Sequence, residues 1–257
     1  MNFSADDAPT VSIVTPVHNA AEFIADTIVS VQAQTYVDWE LLLIDDCSTD
    51  ESVEIIRSYQ SADPRIKLLH LEQNEGAAVA RNKGTEQAHG RYLAFLDADD
   101  VWLPAKLETQ VAFMQKNTHA FTYTGYEFAD ANAQPNGNVV AVPTSITYKQ
   151  ALKNHIIWTS TVMLDLEQVD RAVAYMPNVR RGQDAATWWQ ILRAVGTAYG
   201  INRPLAYYRR THTSLSANKL KAAKRTWYLL RHVEELPIGY CVQNFLWYGY
   251  NAVRKRL

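Results

Sequence analysis

Short apolar runs alternate with longer amphipathic stretches along the first hundred residues. Runs of aliphatic and β-branched residues predict strands at 11–15, 41–44, 66–71 and 92–96. Apolar residues at helical spacing predict helices at 20–34, 48–60 and 77–89. Ser48 and Glu51 stand at capping-box spacing for the second helix, and we expect Pro16 to end the first strand. This alternation predicts an α/β fold with a Rossmann-like, mostly parallel sheet and helices on both faces.

The regular alternation stops after about residue 100, and the second half has a mixed pattern. Its predicted elements are helices at 104–116 and 184–195, strands at 120–128 and 205–208, and a turn at 134–137. From residue 219 onward the apolar residues recur at roughly helical spacing, with Tyr, Trp, Lys and Arg interleaved among them. This last segment is predicted to form amphipathic helices.

Composition excludes several classes of protein. The chain has 257 residues, 47% of them apolar, and a formal net charge of −2, so a basic nucleic-acid-binding surface is not expected. Cys47 and Cys241 are too far apart for a metal-ligand or disulfide pattern, which favours the cytoplasm. The first nine residues lack the features of a signal peptide, and no apolar run reaches the roughly 20 residues that span a bilayer.

Two groups of carboxylates follow two predicted strands: Asp45 and Asp46, then Asp97, Asp99 and Asp100. The carboxyl ends of parallel strands can line one crevice, where ligands bind in open α/β sheets. Carboxylates gathered there repel one another unless a cation joins them, so we expect Mg²⁺ or Mn²⁺ together with an anionic ligand such as a diphosphate. Helix N-capping is the alternative for Asp46 or Asp50. No phosphate-loop or dinucleotide-binding glycine motif is present, which disfavours ATPases and dehydrogenases.

Four segments in order resemble motifs of family 2 glycosyltransferases. They read VSIVTPVHN at 11–19, LIDDCSTD at 43–50, NEGAAVARN at 74–82 and FLDADD at 95–100. Four such blocks within about ninety residues are far more specific than any one alone. The resemblance implies a GT-A fold and an inverting transfer of sugar from a nucleotide donor, most often a UDP-sugar.

The resemblance also implies which residues bind the donor. These are Pro16 and Asn19 beside the uracil, Asp45 at the base or ribose, Arg81 and Asn82 along the nucleoside, and Asp97 near the ribose or sugar. Asp99 is the implied ligand of Mn²⁺ or Mg²⁺. His18 replaces the usual tyrosine but keeps a ring for stacking. Similar later segments approach the diphosphate or metal, so Arg209, Arg210 and His212 are candidates there, with a solvated basic loop as the alternative.

A fifth block, RGQDAATWW at 181–189, resembles the segment of the family that carries the catalytic aspartate. Asp184 aligns with that residue and would act as the general base that accepts the proton of the acceptor hydroxyl. Gln183 departs from the pattern, which has an acid there, and removes one negative charge beside Asp184. The alternative makes Asp184 a helix N-cap. Trp188 and Trp189 offer a platform for sugar stacking.

Aromatic and basic residues on the C-terminal helices predict contact with a membrane interface. The alternative is a helix that packs on the domain core and exposes its other face to solvent. Relatives of this kind are often bacterial enzymes of O-antigen or capsule assembly. The resemblance therefore implies transfer of glucose or galactose, through a β linkage, to a GlcNAc-type sugar on undecaprenyl diphosphate at the cytoplasmic face of the membrane. We expect a catalytic domain at 1–218, with a nucleotide-sugar half at about 10–102 and an acceptor half at 103–218. A helical segment follows at 219–257.

Two other functions remain open on the sequence. Residues 97–101 fit the D-x-D-x-[TV] motif of haloacid-dehalogenase-type phosphatases, in which Asp97 would be the nucleophile. Three predicted strands precede the motif here, although it usually opens that fold. A non-catalytic module that binds nucleotide sugar is the second alternative. Gln183 favours it, whereas Asp45, Asp99 and Asp184 oppose it.

Overall fold

The computed structural model describes residues 9–154, 156–179, 182–210 and 219–254, and within the last range the side chains of residues 223–249. Four parallel strands form its N-terminal half: β1 (Val11–Val17), β2 (Trp39–Asp45), β3 (Ile66–His70) and β4 (Tyr92–Phe95). The helices that connect them are α1 (Ile24–Gln32), α2 (Ser52–Ala62) and α3 (Ala77–Gln87). The predicted alternation of strands and helices is confirmed.

Two apolar layers enclose this sheet, one on each face. Ile13 and Leu41 face the layer that includes α1 and α2, whereas Val14 and Leu42 face the layer that includes α3. Successive side chains of a strand point to opposite faces, so a strand covered on both sides needs an unbroken apolar run. This explains why β2 is buried along its whole length.

The second half adds six strands to the same sheet. They are β5 (Val101–Trp102), β6 (Phe121–Ala129), β7 (Pro135–Val140), β8 (Ser145–Thr147), β9 (Met163–Asp165) and β10 (Thr197–Arg209). The strand order is β3-β2-β1-β4-β9-β6-β10-β5, with β7 on β6 and β8 on β10. Because β9 lies antiparallel between β4 and β6, it joins the two halves into one sheet. The remaining helices are α4 (Lys106–Asn117), α5 (Tyr148–Ala151), α6 (Gln183–Val195), α7 (Lys219–Tyr228) and α8 (Ile238–Arg254).

Three local predictions are wrong. Pro16 lies inside β1, because β4 ends opposite Val14 and needs no donor from Pro16. The capping box at Ser48 does not form, because the Ser48 hydroxyl accepts a hydrogen bond from the backbone N–H of Asn19 (3.0 Å) and α2 begins at Ser52. The turn predicted at 134–137 lies at 130–133 instead, where the Asp130 N–H donates to the Gln134 carbonyl (3.0 Å).

The C-terminal helices pack on the main sheet with one side only. Leu229, Leu230 and Cys241 are fully buried in the layer that also contains Trp188. Glu234 ties this segment to the domain, since it accepts a hydrogen bond from the Tyr148 hydroxyl (2.5 Å) and pairs with Arg193. The other side of α8 exposes large apolar side chains: Ile238, Val242, Leu246 and Trp247. No helix in the described part of the chain is long and apolar enough to cross a bilayer.

Candidate active site

The loop at residues 97–100, here called the acidic loop, leaves the carboxyl end of β4. Ser160 holds it at two points: its hydroxyl accepts from the Asp97 N–H (3.1 Å) and donates to the Asp100 carboxylate (2.6 Å). The Asp100 N–H in turn donates to the Asp97 carbonyl (3.1 Å), which closes a tight turn. The carboxylate of Asp100 is buried by these contacts, whereas Asp97 and Asp99 are half-buried at the crevice.

Two carboxylates of the acidic loop, Asp99 and Asp100, have a raised pKa. Burial, and then the charge of Asp97, raise the pKa of Asp99 to about 6. Burial also raises the pKa of Asp100 well above its usual value, and the charges of Asp99 and Asp97 add to this effect. A group of like charges with limited access to water favours a cation beside it.

Arg81 on α3 supplies a cation next to the acidic loop. Its guanidinium forms an ion pair with Asp97, and 7% of its side chain is exposed against 28% for Asp97. Asn82, the next residue, is held elsewhere: its amide donates to the Met176 carbonyl (2.8 Å) and its oxygen accepts from the Met176 N–H (2.7 Å). Arg81 therefore faces the acidic loop, whereas Asn82 holds the backbone of Met176 against α3.

The other predicted donor-binding residues lie at the ends of β1 and β2. Asp45 is buried at the end of β2, where it accepts from the Ser48 N–H (3.1 Å) and contacts His70 Nδ1 (3.2 Å). Asn19 follows β1 with φ +50°, and its side-chain oxygen accepts from the Thr49 N–H (2.7 Å). Pro16 pairs with Ile44 in the neighbouring strand. The parallel register brings Pro16, Asn19 and Asp45 to one edge of the sheet.

Asp46 and Asp50 both accept hydrogen bonds from backbone N–H groups, as the capping alternative requires, but only Asp50 does so at the start of α2. Asp46 is not a cap of α2, because its two carboxylate oxygens accept from the N–H groups of Glu75 (2.7 Å) and Gly76 (2.8 Å) just before α3. Asp50 accepts from the Ser52 N–H (3.0 Å) at the start of α2. Both side chains thus shape the loops around the crevice.

Asp184 lies in the first turn of α6. The N-cap of this helix is Gly182 with φ +82°, so the alternative that makes Asp184 the N-cap is wrong. A carboxylate in the first turn is favoured by the helix dipole. Within the described ranges, no group donates a hydrogen bond to this half-buried carboxylate, and it lines a cavity.

A cavity of about 260 Å³, here called the Asp184 cavity, opens beside this carboxylate. Tyr126, Trp158 and Tyr208 form an aromatic wall along it: the Trp158 ring lies 4.7 Å from the Tyr208 ring and 4.7 Å from the Tyr126 ring. Trp188 and Trp189 also line the cavity, but they are only 2% and 1% exposed and pack in the core. The accessible aromatic surface therefore comes from residues that the sequence did not single out.

The Asp184 cavity borders the acidic loop through two shared segments. Trp158 stands two residues before Ser160, which holds Asp97 and Asp100, and Tyr208 stands next to Arg209. The pKa of Tyr126 is raised to about 12, first by burial and then by the charges of Tyr208 and Asp100. Tyr126, which lines the Asp184 cavity, thus lies within electrostatic reach of Asp100 in the acidic loop.

The basic candidates near residue 210 have separate positions. Arg209 is buried and donates to the Asp99 carbonyl (2.8 Å) and the Asp26 carboxylate (3.0 Å), so it positions the acidic loop. Arg210 is exposed, with its guanidinium 3.8 Å from the centre of the Phe128 ring. His212 lies outside the described residues. The sequence showed the basic pair but not which member is buried.

The described ranges contain no group of three or more His, Cys, Asp or Glu side chains that could hold a metal ion by themselves. Mg²⁺ in proteins is often held by one or two carboxylates together with phosphates of the substrate. The raised pKa of the half-buried Asp99 fits a carboxylate that is stabilised by a cation beside it.

Comparison with known proteins settles the family. The sequence model of "Glycosyl transferase family 2" matches residues 12–163, which include the acidic loop. The chain belongs to this family. TuaG of Bacillus subtilis, named for teichuronic acid biosynthesis, is 47% identical over 249 residues, covering 97% of this chain and 98% of TuaG. WfgD of Escherichia coli, named as a UDP-Glc:α-D-GlcNAc-diphosphoundecaprenol β-1,3-glucosyltransferase, is 39% identical and covers 93% of each chain.

Solved structures agree on the fold. TarS of S. aureus, crystallised with UDP-GlcNAc, matches with a TM-score of 0.71 at 19% identity over 93% of this chain and 71% of TarS. A mannosyltransferase of Pyrobaculum calidifontis, in complex with GDP-Man and Mn²⁺, matches with a TM-score of 0.66 at 18% identity over 90% of this chain and 65% of that protein. The predicted GT-A fold is confirmed, and the family 2 chain is a glycosyltransferase. The phosphatase and non-catalytic alternatives are therefore wrong.

Proposed function

We propose that this glycosyltransferase moves a hexose from a UDP-sugar to a GlcNAc-type sugar on undecaprenyl diphosphate, with inversion to a β linkage. The observation that carries the proposal is the Asp184 cavity, in which an open carboxylate stands beside an aromatic wall and borders the acidic loop. WfaP of Escherichia coli carries the same name of activity as WfgD, a UDP-Glc:α-D-GlcNAc-diphosphoundecaprenol β-1,3-glucosyltransferase. The two proteins are 39% (WfgD) and 35% (WfaP) identical to this chain, and their names support this donor and acceptor and favour glucose over galactose.

The donor would lie across the ends of β1, β2 and β4. Its uracil would lie beside Pro16 and Asn19, and its base or ribose would bind Asp45. Arg81 and Asn82 would lie along the nucleoside, with Asp97 near the ribose or sugar and Arg210 and His212 toward the diphosphate. The parallel register that aligns Val17 with Asp45 supports the first part of this arrangement.

Asp99 would hold Mn²⁺ or Mg²⁺ together with the donor diphosphate. The burial of this carboxylate among like charges supports the assignment, and the Mn²⁺ in the mannosyltransferase of the same fold agrees with it. An ion held there would supply Lewis acidity for the charge that develops on the leaving diphosphate. Arg209 and Ser160 keep the loop in place for this role.

Asp184 would act as the general base. It accepts the proton of the acceptor hydroxyl as that oxygen forms a bond to the anomeric carbon. The bond between the anomeric carbon and the β-phosphate oxygen breaks, and its electron pair leaves with UDP. Attack from the face opposite the diphosphate converts the α-linked donor into a β-linked product. The aromatic wall would orient the acceptor ring by stacking.

The acceptor is proposed to arrive from the membrane, so the enzyme would act as a peripheral protein at the inner face of the cell membrane. The exposed apolar side of α8 supports this, with Ile238 and Leu246 each 67% exposed. Residues 1–218 would form the catalytic domain and residues 219–257 the membrane-associating segment. The product would enter O-antigen or another surface polysaccharide.

Purified enzyme, Mn²⁺ and a synthetic GlcNAc-diphospho-lipid, offered UDP-sugars one at a time, test the proposal. We expect a mass gain of one hexose with UDP-glucose, and NMR of the product should show a β linkage. A chelator should abolish the reaction, and Mn²⁺ should restore it. Binding of UDP-sugar without transfer to this acceptor would contradict the proposed acceptor while leaving the family unchanged.

A further inference from the structure

A second cavity adjoins the Asp184 cavity at Asn154 and is lined on one side by Trp247 of α8. It has a volume of about 350 Å³ and is called here the Lys153 cavity; its lining includes Ile146, Gln150, Lys153 and Trp247. Asn154 lines both cavities, so the two are adjoining parts of one groove. One end of the groove contains the proposed general base, Asp184. The other end contains Trp247 of α8, a helix with several exposed apolar side chains.

The groove carries positive charge on both sides of Asn154. Arg225 lines the Asp184 cavity, and Lys153 lines the Lys153 cavity with its ammonium 5.9 Å from the centre of the Trp247 ring. Apart from Asp184, no acidic side chain in the described part of the chain lines either cavity. This arrangement suits an anionic group that lies between the two cations.

Arg225 is fixed relative to Asp184 by the turn that begins α6. Gly182 has φ +82°, and a Cβ placed on it would lie 3.1 Å from Arg225 Cδ and 2.7 Å from a Leu229 methyl carbon. The aliphatic part of Arg225 therefore rests on the backbone two residues before Asp184. This contact places the side chain of Arg225 next to the turn that carries Asp184.

At its other end the groove reaches the exposed apolar side of α8. Trp247 is 47% exposed, and Val242 and Leu246 beside it on the helix are 45% and 67% exposed. From the first cavity to the second, the lining changes from a carboxylate, an aromatic wall and one cation to a second cation beside the Trp247 ring. A sugar, a diphosphate and a lipid chain are joined in that order in a lipid-linked sugar.

We infer that the groove binds the diphosphate of the acceptor lipid between Arg225 and Lys153. The acceptor sugar then lies in the Asp184 cavity, and the start of the lipid chain lies against Trp247 and Leu246. This inference rests on the proposed function and adds the residues that recognise the carrier. Arg225 and Lys153 bind substrate charge and take no part in the transfer itself.

Steady-state kinetics with two acceptors test the inference. One acceptor is a GlcNAc-diphospho-lipid, and the other carries the same sugar and chain without phosphate. For Arg225→Gln and Lys153→Gln we expect the KM for the diphospho-lipid to rise about tenfold, which corresponds to one lost charge-assisted hydrogen bond. The KM for the phosphate-free acceptor and for UDP-sugar should not change. Inorganic pyrophosphate should compete with the diphospho-lipid in the parent and less so in the variants.

Two exposed cations away from the groove provide matched controls, Lys116→Gln on α4 and Arg57→Gln on α2, and both should behave like the parent. Equal KM changes for the two acceptors, or none in either variant, would overturn the inference while the proposed function stands. A parent enzyme that glycosylates the phosphate-free sugar but not the diphospho-lipid would overturn both. An unchanged KM for UDP-sugar shows that each variant remains folded.

Discussion

Each carboxylate of the acidic loop has a different set of contacts. Asp97 pairs with Arg81, and Asp100 accepts hydrogen bonds from the Ser160 hydroxyl (2.6 Å) and the Arg209 N–H (3.3 Å). No side-chain hydrogen bond joins Asp99 to another residue in the described ranges. Two of the three acids therefore stabilise the loop, and the third is the one open to a metal ion.

Asp99→Asn is expected to lower metal-dependent transfer at least about 100-fold, because a neutral amide binds Mn²⁺ or Mg²⁺ poorly. The melting temperature should not fall, because the substitution removes a charge that is buried beside like charges. Initial rates across a Mn²⁺ titration and thermal unfolding measure the two effects. Glu54→Gln on the exposed face of α2 is the control. Transfer by Asp99→Asn at the parent rate would contradict the metal assignment.

Asp184→Asn is expected to reduce kcat by about 10²–10⁴-fold, since the amide cannot accept the proton of the acceptor hydroxyl. The affinity for UDP-sugar should stay at the parent value, because the carboxylate faces the Asp184 cavity rather than the ends of β1 and β2. Single-turnover transfer and calorimetric titration with UDP-sugar separate the two quantities. A variant that loses donor binding together with turnover would point to a different role for Asp184.

Lys106 is a fully buried lysine outside the proposed site. Its ammonium has no hydrogen-bond partner among the described residues and lies 3.6 Å from the centre of the Trp102 ring, and burial lowers its pKa well below the usual 10.5. Between the lowered pKa of the folded state and 10.5, the unfolded chain binds more protons than the folded one, so the stability of the parent should rise with pH across this window.

Lys106→Met keeps the volume and removes the charge. We expect it to raise the free energy of unfolding at pH 7 by about 1–3 kcal/mol, because burying the amine no longer requires deprotonation. The difference in unfolding free energy between the variant and the parent should be smaller at pH 9 than at pH 7. Urea unfolding at both pH values measures the difference. An equal gain at the two pH values would show that packing, and not charge, is the cause.

At the scale of the elements, a close contact between two backbone segments constrains the path of the chain in the acceptor half. Gly200 in β10 lies so near the preceding connection that a Cβ there would meet the Pro143 carbonyl oxygen at 2.0 Å. The strand at Gly200 cannot move away from Pro143 without disturbing the pairing of β10 with β5, β6 and β8. Glycine is therefore required at this crossing for steric reasons.

Gly200→Ala is expected to cost about 1–3 kcal/mol of unfolding free energy, as overpacking in a closed site does. Gly249→Ala on α8 is the matched control, since nothing lies within 4 Å of a Cβ at that position. There the substitution should be neutral or stabilise by up to about 1 kcal/mol through helix propensity. Denaturant unfolding of both variants checks the contrast. A Gly200→Ala protein as stable as the parent would show that the crossing relaxes.

At the scale of the whole molecule, the C-terminal helices belong to the core and also present an exposed surface. Leu229 and Leu230 are fully buried, so removing the chain after about residue 225 would damage the fold and could not test membrane binding alone. The exposed side of α8 can be changed without touching that core. Ile238 and Leu246 are suitable positions, because each is 67% exposed.

Ile238→Ser combined with Leu246→Ser is expected to weaken binding to anionic vesicles about tenfold, because apolar surface that would enter the interface is lost. Val37→Ser is the control, since Val37 is also 67% exposed but precedes β2. Flotation with liposomes measures the bound fraction, and thermal unfolding confirms that each protein is intact. If the double variant floats as the parent does, α8 is not the membrane-contacting surface.

The sequence by itself determined the strands and helices of the first half, because a strand covered on both faces needs an apolar run and an amphipathic helix needs its own period. It also predicted the positions of Asp45, Asp99 and Asp184 at the ends or starts of elements, since the family motifs lie there. Pro16 and the turn near 134 were placed wrongly, because the neighbouring strand, and not the local residue type, decided where β1 and the turn end.

Only the tertiary structure decided how the site is assembled. Ser160 and Arg209 hold the acidic loop from 60 and 110 residues away, and Met176 binds Asn82 from 94 residues away. The aromatic wall likewise combines three distant segments around Asp184. Periodicity and capping patterns describe neighbours in the chain, whereas these contacts depend on the order of strands in the sheet. The insertion of β9 between β4 and β6 is what brings them together.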